Sequence, residues 1–417
     1  MIDISNSGRR NFLSATGAMA LGAATPMTGA RAQAAQTIRI GVLTDMSGPF
    51  RDISGPTSVV ATRTALQDFG NRGFNVEVLV ADHQNRPDVG VSLVRQWIDR
   101  DGVDVIIDVP SSGVALAVNN VVRERNKVYL NSTAATVELT GGQCSPNTIH
   151  WTYDTWMLAR STGAALVRAG GQSWFFITAD YAFGHSLEGQ TMDFVRSAGG
   201  RVVGSVRHPF PGTTDYSSFL LQAQASRAQV VAVANAGVDA INVIKQAGEF
   251  GLMRRGQRVA GLLVFANDVN SMGLQVAGGS VLTETFYWDL NDRTRALSQR
   301  VVANGSPGGN RPSMGHAGCY SATTHYLKTV ADMGVVAAKA DGAATIARMK
   351  AMPTDDDAFG AGTIRADGRK LHPAYLFQVK TPAESRGAWD FYTLLQTTPA
   401  EEAFRPMAAG NCALVRS

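Results

Sequence analysis

The stretch Thr37-Ile38-Arg39-Ile40-Gly41-Val42-Leu43-Thr44-Asp45-Met46-Ser47-Gly48-Pro49 decides the fold of this chain. Its apolar residues predict a buried strand over residues 37–43, which Ser47-Gly48-Pro49 ends. Residues 56–70 follow with apolar side chains at the spacing of a helix. A buried strand that leads through a polar loop into an amphipathic helix is the repeating unit of a parallel sheet covered on both faces.

The same unit recurs through two halves of the chain. The first half continues with strands predicted over 76–80, 103–107 and 128–130 and helices over 87–100 and 113–125. The second half has helices predicted over 155–169, 184–198, 215–226 and 238–250, and strands over 173–178, 201–203, 229–233 and 259–264. The sequence therefore predicts an α/β fold of two doubly wound, Rossmann-like lobes.

A third section has a different pattern. It contains predicted helices over 292–303, 314–332 and 338–350, and then an antiparallel strand pair over 377–380 and 389–395. Three helices without intervening strands do not make a lobe of this kind. We expect them to complete an earlier lobe, so the chain must cross between the lobes more than once.

The N-terminus carries an export signal. Gly8-Arg9-Arg10-Asn11-Phe12-Leu13 resembles a twin-arginine (Tat) motif, and a mild apolar stretch follows it. Ala32-Gln33-Ala34 suits cleavage after Ala34, so residues 1–34 are predicted to be a signal peptide. The first cysteine is Cys144, so no cysteine is present for lipid attachment at the cleavage point. We expect a free protein in the periplasm.

Composition excludes some partners. The chain has 417 residues, a net charge of +4 and 17% charged residues. Removal of residues 1–34 takes away three arginines and one aspartate, which leaves a net charge of +2. Basic clusters are absent, so no nucleic-acid partner is expected. We expect a globular monomer.

The sequence lacks the motifs of common enzymes. The nearest match to a G-x-S-x-G elbow, residues 184–189, has the wrong spacing. There is no P-loop, no dinucleotide-binding motif after a strand, no C-x-x-C and no H-E-x-x-H. We therefore predict a protein without enzymatic activity, cofactor or metal site.

Three cysteines leave the disulfide open to more than one pairing. Cys144 lies in a turn-rich segment and Cys412 in the C-terminal tail, and a bond between them would hold that tail. Cys319 falls at the start of a predicted helix and is expected to be a buried thiol. Pairings of Cys319 with either of the other two are not excluded by the sequence.

Three loops of the first lobe offer small hydroxyl residues after strands. They are Met46-Ser47-Gly48-Pro49, Pro110-Ser111-Ser112-Gly113 and Asn131-Ser132-Thr133-Ala134-Ala135. Open α/β sheets bind ligands beyond the carboxyl ends of their strands, and a helix N-terminus there attracts a carboxylate. Helix capping by the same side chains is the alternative. We predict a site for a small carboxylate.

The second lobe offers aromatic and polar residues at matching places. Trp151-Thr152-Tyr153-Asp154 lies at the crossover, and Ala179-Asp180-Tyr181-Ala182-Phe183-Gly184 follows a strand. Asn235-Ala236-Gly237 and Ala266-Asn267-Asp268 follow later strands. For Tyr181 and Phe183, contact with a ligand and packing in the core both remain open.

These segments together resemble a known family. The strand Ile38–Leu43 with Ser47-Gly48, and the segments Pro110–Gly113, Ser132–Thr140, Ala179–Gly184 and Ala247–Leu252, are similar to type I periplasmic solute-binding proteins of the branched-chain amino acid family. Those proteins are receptors of ABC importers. The resemblance implies two lobes joined by three hinge strands. It places lobe 1 at 37–152 and 287–360, lobe 2 at 153–286 and 361–400, and a tail at 401–417.

The resemblance also implies a ligand site. Ser112, Thr133 and Ala135 match the family's carboxylate-binding positions, and Ser47, Tyr153 and Tyr181 lie in the adjoining loops. Phe183 and Ala236 stand where the family normally has a tyrosine and another aromatic residue. Asn267 and Asp268 lie near its ammonium-binding acid. The departures suit an aromatic carboxylate at least as well as an amino acid.

The function expected from the sequence is capture of a small carboxylate, an aromatic acid or a branched-chain amino acid, for delivery to the membrane permease of an ABC importer. The alternative is a periplasmic ligand sensor of the same fold that signals to a regulatory partner. An exported hydrolase or oxidoreductase is a third hypothesis, which the missing motifs disfavour.

Overall fold

The first lobe is built around a parallel sheet with the strand order β2-β1-β3-β4-β5. The structure, a computed structural model, describes residues 36–415, so the predicted signal peptide lies outside the described residues. The strands are β1 (Thr37–Thr44), β2 (Asn75–Asp82), β3 (Val105–Asp108), β4 (Val128–Asn131) and β5 (Thr148–His150). The three-residue strand β5 was not predicted, because so short a segment has no apolar period of its own.

Helices cover both faces of this sheet. They are α1 (Gly55–Phe69), α2 (Pro87–Asp99) and α3 (Ser112–Glu124). Ile38, Ile40 and Val42 of β1 pack into one core cluster, and Leu43 packs into another with residues of α2 and α3. Burial of apolar strands on two faces is what the sequence pattern predicted.

The second lobe has a four-stranded parallel sheet with the order β7-β6-β8-β9. Its strands are β6 (Ser173–Ala179), β7 (Arg201–His208), β8 (Val230–Ala234) and β9 (Arg258–Gly261). Its helices are α4 (Thr155–Leu158), α5 (Ala164–Arg168), α6 (Ala182–Ser197), α7 (Ser217–Ala225), α8 (Gly237–Glu249), α9 (Ala266–Met272) and α10 (Leu274–Ala277). A π-helical turn, Ala159–Gly163, joins α4 to α5 within the helix predicted over 155–169.

The third section divides between the lobes. Helices α11 (Asp292–Ala303), α12 (Met314–Met333), α13 (Val335–Ala340) and α14 (Gly342–Ala351) pack against the first lobe, with α12 along α1. Strands β10 (Val281–Glu284), β13 (Ala374–Val379) and β14 (Tyr392–Thr398) form an antiparallel sheet. Leu282, Phe377 and Tyr392 share a core cluster with Phe175 and Val231 of the second lobe.

The chain passes between the lobes three times. The crossings follow β5, β10 and a short antiparallel pair, β11 (Thr363–Ile364) and β12 (Lys370–Leu371). Residues 361–371 were placed in lobe 2, yet Arg369 bridges to His150 at the end of β5. The residue bounds of the two lobes remain a prediction.

The C-terminal segment is held to the first lobe. A short helix, α15 (Ala400–Ala403), precedes a segment in which Cys412 forms a disulfide with Cys144. Cys319 is a buried free thiol. The Arg405 guanidinium also donates to the carbonyl oxygen of Val137 at 3.1 Å.

None of the helices within residues 36–415 is long and apolar enough to cross a membrane.

Candidate ligand-binding cleft

The carboxyl ends of the strands in the two lobes face each other across a narrow cleft. A small cavity there has a volume of about 10 Å³, roughly the room that a single water molecule needs. Ten residues from both lobes line it: Phe50, Ile53, Pro110, Thr133, Ala135, Tyr153, Tyr181, Phe183, Ala236 and Leu263. Six of the ten predicted ligand-binding residues are therefore brought together.

Pro110, two residues before α3, lines the cavity, and the predicted residue Ser112 at the start of α3 does not. Ser111 precedes the helix without capping it through its side chain, and Ser112 is its first residue. The Ser112 hydroxyl is buried and has no hydrogen-bond partner among the described residues. The alternative that this hydroxyl serves as a helix cap therefore does not hold for this conformation.

Asp108, the last residue of β3, is hydrogen-bonded to the cavity residue Thr133. Its carboxylate is fully buried and accepts hydrogen bonds from Thr44 (2.8 Å), Ser54 (2.7 Å) and Thr133 (2.5 Å). Thr44 is the last residue of β1 and Ser54 ends the connection from β1 to α1, whereas Thr133 lies in the loop after β4. The carboxylate at the end of β3 thus links the connection after β1 to the loop after β4.

The backbone around Asp108 is strained. Asp108 has φ of 80° and Val109 has φ of 63°, both in the left-handed region that non-glycine residues rarely adopt. A β-branched residue such as valine is especially disfavoured there. This turn sends the chain from β3 into Pro110 and the start of α3.

Two predicted residues of the first lobe make defined contacts. The Thr133 hydroxyl donates a hydrogen bond to the Asp108 carboxylate. The Thr133 carbonyl oxygen accepts one from the Tyr153 hydroxyl at 2.5 Å. Burial raises the pKa of Tyr153 well above its ordinary value, so the phenol stays protonated and donates. Ala135 accepts a bond from the Thr155 amide through its carbonyl oxygen.

Aromatic rings from both lobes close the cavity. Tyr181 stacks on Phe210 with ring centroids 4.2 Å apart, and Phe210 stacks on Phe50 of the first lobe at 5.6 Å. Phe183 lies 5.7 Å from Tyr181. Burial and the nearby Asp239 carboxylate raise the pKa of Tyr181 well above its ordinary value. Tyr181 and Phe183 thus pack against other rings and also line the cavity, and their contact with a ligand stays a prediction.

The lobes touch through the backbone as well. The Val238 amide at the start of α8 donates to the carbonyl oxygen of Pro49 at 3.1 Å. Gly237 next to it has φ of 57°, and a Cβ atom there would lie 2.2 Å from the same oxygen. Only glycine permits this approach of the second lobe to the first.

Asn267 and Asp268 are buried but do not line the cavity. The Asn267 side chain donates to the carbonyl oxygen of Arg311 at 3.1 Å. Asp268 accepts a hydrogen bond from the Phe265 amide at 2.9 Å, at the N-terminus of α9. Burial raises the pKa of Asp268 to about 7, against the lowering effect of that bond.

A second buried acid lies close by and was not predicted. Glu284 accepts hydrogen bonds from the Ala266 amide at 3.0 Å and the Tyr392 hydroxyl at 2.8 Å through one oxygen, and its other oxygen has no described partner. Burial raises its pKa to about 8. The carboxyl group is therefore largely protonated at neutral pH.

Ser47 lies away from the cavity. Its side chain is exposed and donates to Asp82 at 2.6 Å. Within residues 36–415 no group of three or more His, Cys, Asp or Glu side chains is arranged to hold a metal ion. The residues around the cavity can offer hydroxyl groups, backbone amides and aromatic rings.

Sequence reasoning missed several cavity residues. Phe50 and Ile53 follow the quoted Ser47-Gly48-Pro49 turn, and Leu263 lies within the segment 259–264 predicted as strand. Phe210 follows β7 and stacks on Phe50 without lining the cavity. The strand predicted over 201–203 extends to His208, so Phe210 could not be placed at the cleft. Asp108 had one usable signal, an acidic residue at the end of an otherwise apolar strand.

Comparison with known proteins decides the family. A family described as periplasmic binding protein matches residues 37–387. The chain belongs to the periplasmic binding protein family. Membership implies a periplasmic location and the two-lobed type I fold that the sequence predicted.

Solved structures agree with this membership. A periplasmic binding protein from Burkholderia mallei is 44% identical, with a TM-score of 0.86 over 91% of this chain and 100% of the other. A protein from Burkholderia xenovorans LB400 described as a branched chain amino acid ABC transporter periplasmic ligand-binding protein is 38% identical. Its TM-score is 0.78 over 90% of this chain and 99% of the other. No curated protein sequence matches.

A more distant neighbour shares the fold alone. It is a solute-binding protein of an ABC transporter from R. palustris in complex with 4-hydroxybenzoate, 21% identical, with a TM-score of 0.78 over 91% of this chain and 100% of the other. The family and these neighbours are solute-binding proteins and not enzymes, which confirms that prediction for this periplasmic binding protein.

Proposed function

We propose that this periplasmic binding protein captures a small carboxylate between its lobes and delivers it to the membrane permease of an ABC importer. The observation that carries the proposal is the buried Ser112 hydroxyl without a partner at the N-terminus of α3. A helix N-terminus favours negative charge, and its free backbone amides donate hydrogen bonds. The Ser112 hydroxyl can complete that set of donors.

The remaining walls of the cavity favour an apolar ligand body. None of the ten lining residues is charged, and Phe50, Phe183 and Leu263 contribute apolar surface. Rings such as Tyr181 can stack on an aromatic ligand. The carboxylate is then bound by helix amides and hydroxyls without a lysine or arginine.

An aromatic acid suits this cavity better than a branched-chain amino acid. The Asp268 carboxylate is bonded to the Phe265 amide and does not line the cavity, so it is not placed to bind a ligand ammonium. The relative from Burkholderia xenovorans carries a branched-chain amino acid description, and the R. palustris protein was solved with 4-hydroxybenzoate. Both ligand classes therefore belong in the first screen.

Binding requires the lobes to part. The cavity has room for about one water molecule, far less than the 300–1,000 Å³ typical of ligand sites. Closure joins the Val238 amide to the Pro49 carbonyl oxygen. Hinge motion about the three crossings would open the cleft, admit the ligand and close over it.

A thermal-shift screen tests the proposal. We expect at least one aromatic acid or branched-chain amino acid to raise the melting temperature of the protein purified without residues 1–34. A ligand with a micromolar Kd stabilises by about 4 kcal/mol at a concentration a thousandfold higher. Benzyl alcohol and isoamyl alcohol, which have similar bodies without a carboxylate, serve as controls. Stabilisation by the alcohols but by no acid would contradict the proposal.

Delivery needs its own experiment. In cells that lack the gene for this protein, uptake of the radiolabelled acid found in the screen is expected to fall at low ligand concentration. Restoration by the wild-type protein, and not by a variant that has lost binding, would support delivery to a permease. Normal uptake in the deletion strain would contradict it.

A further inference from the structure

We infer that His208 is a positioning residue of the cleft, which as a protonated imidazolium ties together two segments of the second lobe that touch the first lobe. This inference rests on the proposed function and goes beyond it, since it makes closure over a ligand depend on a proton. His208 is the last residue of β7 and is fully buried. It does not line the cavity, so it acts through other residues.

Both ring nitrogens of His208 face hydrogen-bond acceptors. Nε2 lies 2.6 Å from the side-chain oxygen of Asn235, and Nδ1 lies 3.0 Å from the carbonyl oxygen of Pro209. The orientation of the Asn235 amide is fixed, because its nitrogen donates to the carbonyl oxygen of Ile177 at 3.1 Å. A neutral imidazole carries one N–H group and can satisfy only one of these acceptors. The imidazolium donates to both, so this geometry requires the proton.

A buried carboxylate balances this charge. Asp239, in the first turn of α8, is buried, and one of its oxygens has no hydrogen-bond partner among residues 36–415. Burial raises the pKa of Asp239 to about 6, against the lowering effect of the His208 charge. Asp239 is therefore largely ionised at neutral pH and favours the imidazolium. Two rings pack edge-on against His208 at 5.0 and 5.9 Å, Tyr216 and Phe219. Both are uncharged, because burial raises the pKa of the Tyr216 phenol.

The bond to Pro209 reaches the first lobe through the next residue. Phe210 stacks on Phe50 of the first lobe with ring centroids 5.6 Å apart. The Pro209 carbonyl oxygen also accepts a hydrogen bond from the Thr213 hydroxyl at 2.7 Å. Of these two donors, only His208 depends on a proton. Deprotonation therefore weakens the hold on the backbone that carries the Phe210 ring.

The bond to Asn235 leads to the first lobe along the start of α8. Ala236 lines the cavity, and the Val238 amide donates to the carbonyl oxygen of Pro49 at 3.1 Å. One ring thus links two segments that the first lobe also holds when the cleft is closed. Opening removes the contacts with the first lobe and leaves both segments freer to leave the ring. Proton binding and closure therefore favour each other, and ligand affinity should fall as pH rises.

Two of the seven histidines can supply a pH dependence of this kind. Histidine ordinarily changes its charge between pH 5 and 8. Burial lowers the pKa of five others, which therefore stay uncharged near neutral pH: His83, His150, His316, His325 and His372. The remaining two are His208 and His185, which is exposed and pairs with Asp180 at 2.7 Å. His185 is therefore the matched control.

Titration calorimetry between pH 6 and 8.5 tests the inference. Benzoate and leucine are the probes, since their own charges hardly change over that range. For a probe that binds the wild-type protein, we expect the affinity to fall about fivefold as pH rises, which corresponds to the loss of roughly one hydrogen bond. His208→Gln has no charge to gain or lose and should show the lower affinity at every pH. Asp239→Asn should move the fall to lower pH, and it decides the question if His208→Gln does not fold.

His185→Gln should keep the pH dependence of the wild-type protein. Three results would each overturn the inference and leave carboxylate capture standing. They are an affinity of the wild-type protein that does not change with pH, a pH dependence that survives unchanged in His208→Gln and Asp239→Asn, and its loss in His185→Gln. Failure of both benzoate and leucine to bind the wild-type protein at any pH overturns the inference together with its basis.

Discussion

Gly237 of the second lobe lies against the carbonyl oxygen of Pro49 in the first, so closely that a Cβ atom at Gly237 would be 2.2 Å from that oxygen. This contact belongs to the closed arrangement. We expect Gly237→Ala to oppose closure, because the new methyl group cannot occupy the same space as the oxygen. Ligand affinity measured by calorimetry should fall by about tenfold or more.

Gly256→Ala is the control for that experiment. Gly256 has φ of 86° and no atom within 4 Å of an added Cβ. Alanine in the left-handed region costs roughly 1 kcal/mol at either position. Both variants should therefore lose stability, and only Gly237→Ala should lose affinity. Equal affinities of the two variants would show that the contact with Pro49 does not govern closure.

Ser112→Ala tests the proposed anion site. Removal of the hydroxyl should weaken binding of an acid identified in the screen by about 1–3 kcal/mol, since a buried charged group then lacks a hydrogen bond. Ser47→Ala serves as the control, because its exposed hydroxyl bonds to Asp82 away from the cavity. Calorimetry on both variants gives the comparison. An unchanged affinity in Ser112→Ala would refute the site.

Glu284 predicts a pH dependence of stability. Burial raises its pKa from 4.5 to about 8, so between these values the unfolded chain has released a proton that the folded protein retains. The unfolded state binds fewer protons there, and stability must fall as pH rises from about 4.5 to 8. Asp268, with a pKa of about 7, contributes in the same direction.

Glu284→Gln should remove much of this dependence. The amide keeps an acceptor for the Ala266 amide and the Tyr392 hydroxyl and carries no charge. We expect the melting temperature of the variant to decline less between pH 5 and 8, with a gain on the order of 2–4 kcal/mol at pH 8. Glu401→Gln on exposed α15 should follow the wild type. Parallel curves for Glu284→Gln and the wild type would contradict the prediction.

Because of Lys370, we expect the stability of the folded protein to rise with pH in the alkaline range. Its amino group is fully buried without a hydrogen-bond acceptor, over the rings of Phe359 (4.8 Å) and Trp151 (5.8 Å). Burial lowers its pKa to about 8, against the opposing effect of Asp356. Between pH 8 and 10.5 the unfolded chain binds more protons than the folded protein, so stability should rise with pH over that range.

Lys370→Met checks this prediction. Methionine has a similar length and no charge to bury. Below pH 8 the variant should be more stable than the wild type by roughly 1–3 kcal/mol, and the difference should shrink toward pH 10.5. Lys328→Met, at an exposed residue of α12, is the control. A constant difference across the range would point to packing rather than charge.

The sequence was sufficient for the lobes because central strands such as β3 and β8 are buried on both faces. A short and mostly apolar segment such as 103–107 is typical of a strand in the interior of a parallel sheet, where both faces are buried. The short strands β5 and β12 escaped prediction because segments of two or three residues have no apolar period of their own. Arg369 bridges to His150 across more than two hundred residues, and no local pattern reports such a contact.

The residues of the site could be predicted where the sheet topology brings them together. Their hydrogen-bond partners could not be predicted, because several groups nearby can bind the same side chain. Thr133, Ala135 and Phe183 follow strands, and the carboxyl edge of a sheet brings such residues together. Asp268 lies in the expected segment, but its carboxylate accepts a hydrogen bond from the Phe265 amide. In the same way, the Thr133 hydroxyl donates its hydrogen bond to the Asp108 carboxylate. Sequence position gives the residue, and only the three-dimensional arrangement decides which partner it binds.

The bond between Cys144 and Cys412 has a topological consequence. It closes a ring over a sequence separation of 268 residues, and all three crossings between the lobes lie inside that ring. A protease that cuts any loop from residue 145 to 411 leaves the pieces covalently joined. The ring also cannot close until residue 412 has been synthesised, so the bond forms only after all three crossings have been made.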